Sequence, residues 1–271
     1  MTSIFPLDPI LRDFRDAAWH TYIVFCAAYD NVFESLRQEY VRAIDLIGVP
    51  AKWKQIYGGP DQRLAEHLMT LYWRGQLKLG EPEGVLQHFF SKADERLAGH
   101  AIGFVGRSLN NQKERDNIPP AIIARLRKLW EERLTVAKKD TRRSSHRNEL
   151  AAFGWWFVSG AFDEDWAARQ LEAVLAITPE VEADDMVVER LAKIAAAMPI
   201  TAIRCLNFMV KGARDYWRIL NYQEEAREII AKAIVSELTS GEPEIKTLVE
   251  DTISRLMAQG HLGFRDLLST A

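Results

Sequence analysis

The chain has 271 residues, of which 48% are hydrophobic and 27% are charged, and its formal net charge is −3. This composition is sufficient for a buried core and argues against a wholly disordered chain. The slight negative charge argues against a generally basic nucleic-acid coat protein, although a local basic patch is compatible with it.

We expect a cytoplasmic protein without a membrane anchor. The N-terminal segment has neither a basic region nor a clean apolar region, so it predicts no signal peptide. The nearly uncharged run at residues 150–162 spans thirteen residues, fewer than the roughly 20 that cross a bilayer. The two cysteines, Cys26 and Cys205, lie in apolar helical contexts that are typical of reduced, buried thiols.

Nearly every segment carries apolar residues at helical spacing, and the alternation typical of strands is almost absent. The pattern predicts about 12 helices. They are expected at 7–28, 31–47, 61–74, 84–93, 94–109, 119–137, 148–159, 163–177, 182–197, 200–211, 222–238 and 243–259, and a further short helix is expected at 264–269. Asp163 is the expected N-cap of one helix, Gly160 ends the helix before it, and the acids of "EADDM" are expected to cap another.

The aromatic stretch between Leu150 and Leu175 predicts packing between two helices. Aromatic residues recur at helical spacing on both predicted helices, and the connection between them is short. The residues expected to meet are Phe153, Trp156 and Phe157 on the first helix and Phe162, Trp166 and Leu171 on the second. Short connections make helices antiparallel neighbours, so an aromatic hairpin core is expected. Trp155 is the alternative, because it could face outward and stack on a ligand.

Helix pairs recur along the second half of the chain. Asp163 to Pro199 is a period of 36 residues, and Pro199 to Glu242 is a period of 43. HEAT-like repeats have periods of about 40–47 residues. The sequence therefore predicts an all-α fold in which antiparallel helix pairs form a right-handed, HEAT-like α-solenoid. We expect an N-terminal helical subdomain at 1–140 and helical repeats at 147–271, in one continuous array.

No catalytic or metal-binding motif stands out, so we expect neither enzymatic activity nor a cofactor nor a metal. Neither a phosphate-binding loop nor a dinucleotide fingerprint is present, and the cysteines lack metal-ligand spacing. The histidines are scattered: His20, His67, His88, His100, His146 and His261. Ser144 and Ser145 precede His146, but no nucleophile elbow surrounds them.

Charge is distributed unevenly along the chain. Residues 125–147 have a net charge of +6, and residues 161–190 have a net charge of −7. The candidate binding residues are Lys138, Lys139, Arg142, Arg143 and Arg147, with Trp155 as a possible stacking residue. These cations could contact phosphates of nucleic acid or an acidic protein surface, such as the acidic stretch of another copy. A solvated loop between helices is the structural alternative.

Several segments together resemble a known kind of protein. They are residues 18–44, 63–77, 89–109, 149–167 and 256–268, which include "FFSKADERLAGHAIGFVGRSL" and "ELAAFGWWFVSGAFDEDWA". They resemble the helical C-terminal region of large bacterial anti-phage defence proteins, in which a sirtuin-like or STAND-type P-loop NTPase part precedes a HEAT-like array. The resemblance implies a sensing, regulatory or scaffolding module whose partner is an effector or NTPase subunit. It transfers no catalytic residue to this chain.

The leading hypothesis is therefore a non-enzymatic helical-repeat protein that binds a protein partner or itself. The alternative is a helical nucleic-acid-binding protein that uses the basic segment at 125–147. A third hypothesis, a helical-repeat DNA glycosylase, requires exposed aromatic residues beside a carboxylate on a concave face.

Overall fold

All regular secondary structure in the described part of the chain is helical. The computed structural model describes residues 60–73, 89–90, 93–111, 118–140, 143–212 and 221–269. These ranges include ten α-helices and two 3₁₀ segments, and no residue within them lies in a strand. The prediction of an all-α protein is confirmed.

The helices correspond closely to the predicted ones in the second half of the chain. In order they are α1 Pro60–Trp73, α2 Glu95–Leu109, α3 Pro120–Lys139, α4 Arg147–Ala151, α5 Phe153–Ser159, α6 Glu164–Leu175, α7 Asp184–Ile194, α8 Pro199–Gly212, α9 Gln223–Ser240 and α10 Pro243–Ala258. The 3₁₀ segments are Arg143–His146 and Leu262–Ser269. One helix was predicted at 148–159, but the chain forms both α4 and α5 there. The predicted helices at 7–28 and 31–47 lie outside the described residues, as does Cys26.

The chain divides into two compact units, residues 1–101 and 102–271. Helix α1 belongs to the first unit, and α3 to α10 belong to the second. The predicted boundary between the two domains lies later in the chain, between residues 140 and 147. The division into domains at 1–140 and 147–271 therefore stays a prediction. Within the described ranges, no helix combines the length and apolarity needed to span a bilayer.

Among the described helices of the second unit, α7 and α8 each pack on two helices that are not next to them in the described order. Helix α8 packs on both α6 and α10, and α7 packs on both α5 and α9. Helix α8 also packs on α7 and on α9, and α10 packs on α9. Helix α3 packs on α6 and on the first 3₁₀ segment.

Polar side chains fix the register of α6, α8 and α10. The guanidinium of Arg204 on α8 donates to Glu172 on α6 at 3.2 Å and to Glu244 on α10 at 3.0 Å. The buried amide of Asn207 donates to Thr252 on α10 at 2.9 Å. A buried amide must keep its hydrogen-bond partners, so these contacts disfavour any slip between α8 and α10.

The connection between α5 and α6 has the predicted ends. Gly160 ends α5 in the left-handed conformation, with φ 68°. The carboxylate of Asp163 accepts a hydrogen bond from the backbone N–H of Trp166 at 2.9 Å, as an N-cap does. Both local predictions are confirmed.

The acids predicted at the start of α7 lie in its first turn, but neither of them is the N-cap. Its N-cap is Ala183, which has φ 54° and makes no side-chain cap, while Asp184 and Asp185 lie inside the first turn. Just before it, the backbone N–H of Glu182 donates to the carbonyl of Ala151 at 2.9 Å. This contact fixes the chain one residue before the N-cap, and the chain then enters α7 through the left-handed Ala183.

Trp130 of α3 lies at the centre of a buried aromatic cluster. Its ring stacks on Phe153 of α5, with centroids 4.8 Å apart and planes 5° apart. Trp156, Phe162 and Trp166 meet the same ring edge-on at 5.4–5.9 Å. The predicted packing role of the aromatic stretch is confirmed. The prediction included only the two helices of the hairpin, whereas the central ring, Trp130, belongs to a third helix, α3.

A glycine on α2 allows close contact with the aromatic cluster. The indole Nε1 of Trp156 donates to the backbone carbonyl of Ile102 at 2.8 Å. One turn along α2, a Cβ on Gly106 would lie 2.7 Å from Cδ1 of Trp156 and 2.5 Å from Cβ of Trp155. Only glycine leaves room for the indole to reach the carbonyl.

Replacing each of two buried tryptophans by phenylalanine tests the contribution of the indole N–H. The Nε1 of Trp130 has no acceptor among the described residues, whereas the Nε1 of Trp156 donates to Ile102. We expect W156F to lower the free energy of unfolding by about 1 kcal/mol more than W130F does. Urea unfolding of both variants measures the difference, and equal losses would contradict the expectation.

Two glycine-to-alanine substitutions separate steric contact from backbone strain. A Cβ on Gly154 would lie 2.1 Å from the carbonyl oxygen of Glu182, so G154A forces backbone apart and should cost about 3 kcal/mol. Gly241 has φ 68° and open space around it, so G241A should cost only about 1 kcal/mol. Thermal unfolding compares the variants. A milder effect of G154A would show that the contact between α5 and the segment before α7 is loose.

Candidate functional site

The predicted basic residues lie around the connection between α3 and α4. Lys138 and Lys139 are exposed and end α3. Arg143 begins the first 3₁₀ segment, and Arg147 begins α4. Arg142 and the side chain of Arg143 lie outside the described residues. Among the five predicted cations, the structure therefore describes the side chains of the two lysines and of Arg147.

An acid before α7 holds Arg147. Its Nε donates to Oε2 of Glu180 at 2.7 Å, and its Nη2 donates to Oε1 of the same carboxylate. Each side chain is about one third exposed, at 35% for Arg147 and 33% for Glu180. A two-point ion pair of this kind fixes both partners and largely neutralises the cation. Arg147 therefore contributes less to a phosphate-binding surface than its sequence position predicts.

Trp155, the predicted stacking residue, is half-buried and held by a hydrogen bond. Its Nε1 donates to Oε2 of Glu182 at 2.7 Å. Nη1 of Arg107 lies 3.9 Å from the same oxygen. The indole thus takes part in a contact among α2, α5 and the segment before α7. Its role in ligand stacking stays a prediction.

A buried ion pair joins α3 to α4. Nη2 of Arg133 donates to Oε2 of Glu149 at 3.1 Å, and Nε of the same guanidinium donates to Oε1. The side chains are only 8% and 2% exposed. This pair was not among the contacts predicted from the sequence. A signal existed, because Arg133 follows Leu129 and Trp130 at helical spacing and therefore lies on the buried face of α3.

His146 lies between two carboxylates. Its Nδ1 is 3.2 Å from Oε2 of Glu149, and its Nε2 is 3.2 Å from Oδ2 of Asp140, the C-cap of α3. Both ring nitrogens therefore face acceptors, and only the doubly protonated imidazolium can donate to both. The hydroxyl of Ser145 donates to the same oxygen of Asp140 at 3.3 Å. His146 thus joins the C-cap of α3 to Glu149 of α4.

These contacts shift the pKa values of both groups. The hydrogen bond to Glu149 raises the pKa of His146 above its ordinary value of 6.5, although burial opposes the shift. Burial alone would raise the pKa of Glu149, but hydrogen bonds from His146 and Arg133 lower it below 4.5. Both groups are therefore stabilised in their charged forms.

The geometry of this cluster differs from that of a nucleophilic site. A general base needs a free nitrogen near the nucleophile, but both nitrogens of His146 contact carboxylates. The thiol of Cys205 is buried, and desolvation raises its pKa well above the ordinary value, which disfavours the reactive thiolate. Within the part of the chain that the structure describes, no group of three or more His, Cys, Asp or Glu side chains is arranged to hold a metal.

Comparison with known proteins does not assign the chain to a family. No family model matches the chain, and neither a curated protein nor a solved structure matches it.

The position of His146 predicts how stability depends on pH. A raised folded pKa means that its contribution is complete below pH 6.5 and is lost as pH rises through the folded value. The lowered pKa of Glu149 acts in the opposite sense, because its contribution is present above pH 4.5 and is lost as pH falls through the folded value. Both groups therefore contribute fully to the stability of the fold between pH 4.5 and pH 6.5.

We expect His146→Gln to lower the free energy of unfolding most at pH values just below 6.5. The gap between the wild type and the variant should narrow as pH rises, because the wild type then loses the imidazolium. Urea unfolding of both proteins across the pH range measures this gap. If the difference in free energy of unfolding stayed constant or grew as pH rises, the claim that protonated His146 is stabilised by Glu149 and Asp140 would be wrong.

Proposed function

We propose that this chain is a non-enzymatic helical-repeat module that binds a macromolecular partner through its surface. In this proposal the helices of the second unit form a right-handed, HEAT-like solenoid. The observation that carries it is the packing of α8 on both α6 and α10 while α7 packs on both α5 and α9. Helices that alternate between two rows in this way are typical of stacked helix pairs, which act mainly through extended surfaces.

Several charged side chains make their contacts within the fold, and this supports a role in binding a macromolecular partner. Arg133, Glu149 and His146 form contacts within the fold, and Arg204 links neighbouring helices. These charged groups therefore stabilise the arrangement of helices. A repeat surface recognises its partner by shape and charge.

The setting of the proposal rests on the resemblance to bacterial anti-phage defence proteins. In that setting the module acts in the cytoplasm, without a cofactor, and its partner is an effector, an NTPase subunit or another copy of the chain. The resemblance covers helical segments only, so it supports a sensing or scaffolding role and no catalytic one.

Nucleic-acid binding by the basic segment at 125–147 is the second candidate. Its support is the exposure of Lys138 and Lys139 at the same end of α3. Its weakness is that Glu149 and Glu180 neutralise Arg133 and Arg147. The electrostatic contribution to phosphate binding grows with the number of cations that contact phosphates, so this pairing reduces it.

A tagged pull-down from the source cells, with and without nuclease, separates the two candidates. We expect a stoichiometric protein partner that survives nuclease treatment. The variant K138E/K139E tests the basic segment, and R169E/K193E, which reverses two exposed cations on α6 and α7, is its matched control. Recovery of nucleic acid that only K138E/K139E abolishes would contradict the interaction proposal and favour the second candidate.

A further inference from the structure

A single imidazole ring links the end of α3 to α4. Asp140 is the C-cap of α3, Glu149 lies inside α4, and His146 is the last residue of the 3₁₀ segment between them. Nε2 of the ring lies 3.2 Å from Oδ2 of Asp140, and Nδ1 lies 3.2 Å from Oε2 of Glu149. The 3₁₀ segment itself packs on α3 and α4. One titratable group therefore stands between two carboxylates that belong to different helices.

The two carboxylates differ in their access to water. The side chain of Glu149 is 2% exposed, whereas that of Asp140 is 26% exposed. A carboxylate that loses a hydrogen-bond donor in the interior stays poorly solvated, but water replaces the donor near the surface. When the ring has only one hydrogen to donate, the contact with Glu149 is therefore the costlier one to lose.

The charges around the ring favour the same carboxylate. Glu149 faces the ring from α4, and Asp140 and Arg133 act on it from α3. The hydrogen bond to Glu149 contributes more to the raised pKa of His146 than the one to Asp140 does, and the charge of Arg133 opposes both. Arg133 also donates to Glu149 and lowers its pKa, so this acceptor stays ionised when the ring loses a proton. Burial and charge thus both make Glu149 the preferred acceptor.

A neutral imidazole cannot satisfy both contacts. One ring nitrogen then carries a hydrogen, and the other carries a lone pair. If Nδ1 keeps its hydrogen for Glu149, the lone pair of Nε2 faces Oδ2 of Asp140, and two acceptors 3.2 Å apart repel each other. The carboxylate of Asp140 is partly exposed, so it can turn toward water instead.

We propose that His146 is a proton-dependent clamp on the basic end of α3. The protonated ring joins Asp140 to Glu149, whereas the neutral ring keeps Glu149 and releases Asp140. The clamp is a property of the fold of the chain, so it does not depend on which partner the proposed module binds.

The released residue determines how firmly the last turn of α3 is held. The backbone N–H of Asp140 donates to the carbonyl of Val136 at 3.1 Å, and its carboxylate accepts a hydrogen bond from Ser145 at 3.3 Å. Lys138 and Lys139, which directly precede it, are exposed. Loss of the proton from the ring therefore loosens the turn that carries these two lysines.

The position of the hydrogen on the neutral ring tests the proposal directly. NMR of the full chain with isotope-labelled histidine side chains distinguishes the imidazolium from the two neutral forms, and His146→Gln assigns the signal. The hydrogen-bond partners of a ring decide which nitrogen keeps the hydrogen. We expect both nitrogens of His146 to be protonated below its folded pKa and Nδ1 alone above it. A neutral ring with its hydrogen on Nε2 would mean that Asp140 is kept, and would overturn the proposal.

Amide hydrogen exchange measures the release itself. Protection of the amides of Lys138, Lys139 and Asp140 is compared about one pH unit below and above the folded pKa of His146, after correction for intrinsic exchange rates. We expect protection in the wild type to fall by about tenfold or more above that pKa, because the turn then opens locally.

Two substitutions of Asp140 separate the clamp from a change in overall stability. Asp140→Asn offers an oxygen to the imidazolium and an amide N–H to the lone pair of the neutral ring, so protection should stay high at both pH values. Asp140→Ala offers neither, so protection should be low at both. Asp185→Asn changes an exposed acid in the first turn of α7 and is the matched control, which should follow the wild type.

Unchanged protection of the wild type across the titration of His146 would overturn the proposal. An equal fall of protection in Asp140→Asn and in the wild type would overturn it as well. Neither result affects the proposed function, which the pull-down tests separately, and a pull-down without a partner leaves the clamp standing.

Discussion

Two contacts, one helical turn apart, determine how α3 lies against α4 and α5. Trp130 stacks on Phe153, and Arg133 pairs with Glu149. The residue numbers rise along α3 and fall along the partner segment, so the two run antiparallel in a single register. A slip by one residue would separate the rings and leave two buried charges without partners. A buried unpaired charge costs several kcal/mol, and the ion pair therefore excludes alternative registers more strongly than apolar packing alone does.

Other features depend on this register. It places Trp156 where its indole reaches the carbonyl of Ile102, and it places Gly154 against the segment before α7. It also fixes both ends of the connection that carries the basic residues, through His146. Two of the nine cations in residues 125–147, Arg133 and Arg147, are paired with acids within the fold, whereas the lysines at the end of α3 are exposed to solvent.

The sequence predicted local features well and distant partners poorly. Helical spacing, the Gly160 helix end and the Asp163 cap follow from neighbouring residues, and the structure has them. Trp130 lies 20 residues before the start of the aromatic stretch at Leu150, so periodicity within the stretch could not predict its central position. The partner of Arg147 lies 33 residues away, and a count of charge within one segment cannot include it. The left-handed Ala183 follows from a tertiary backbone contact rather than from its own preference.

A double-mutant cycle on the buried ion pair tests the central claim most directly. Arg133→Met and Glu149→Met would each be measured alone and together by urea unfolding. Each single variant should cost about 3–5 kcal/mol, because it leaves the other charge buried without its partner. The double variant should cost less than the sum of the two by about 2 kcal/mol or more. Additive losses would show that the two side chains do not act as a pair, and would contradict the proposed register of α3 against α4 and α5.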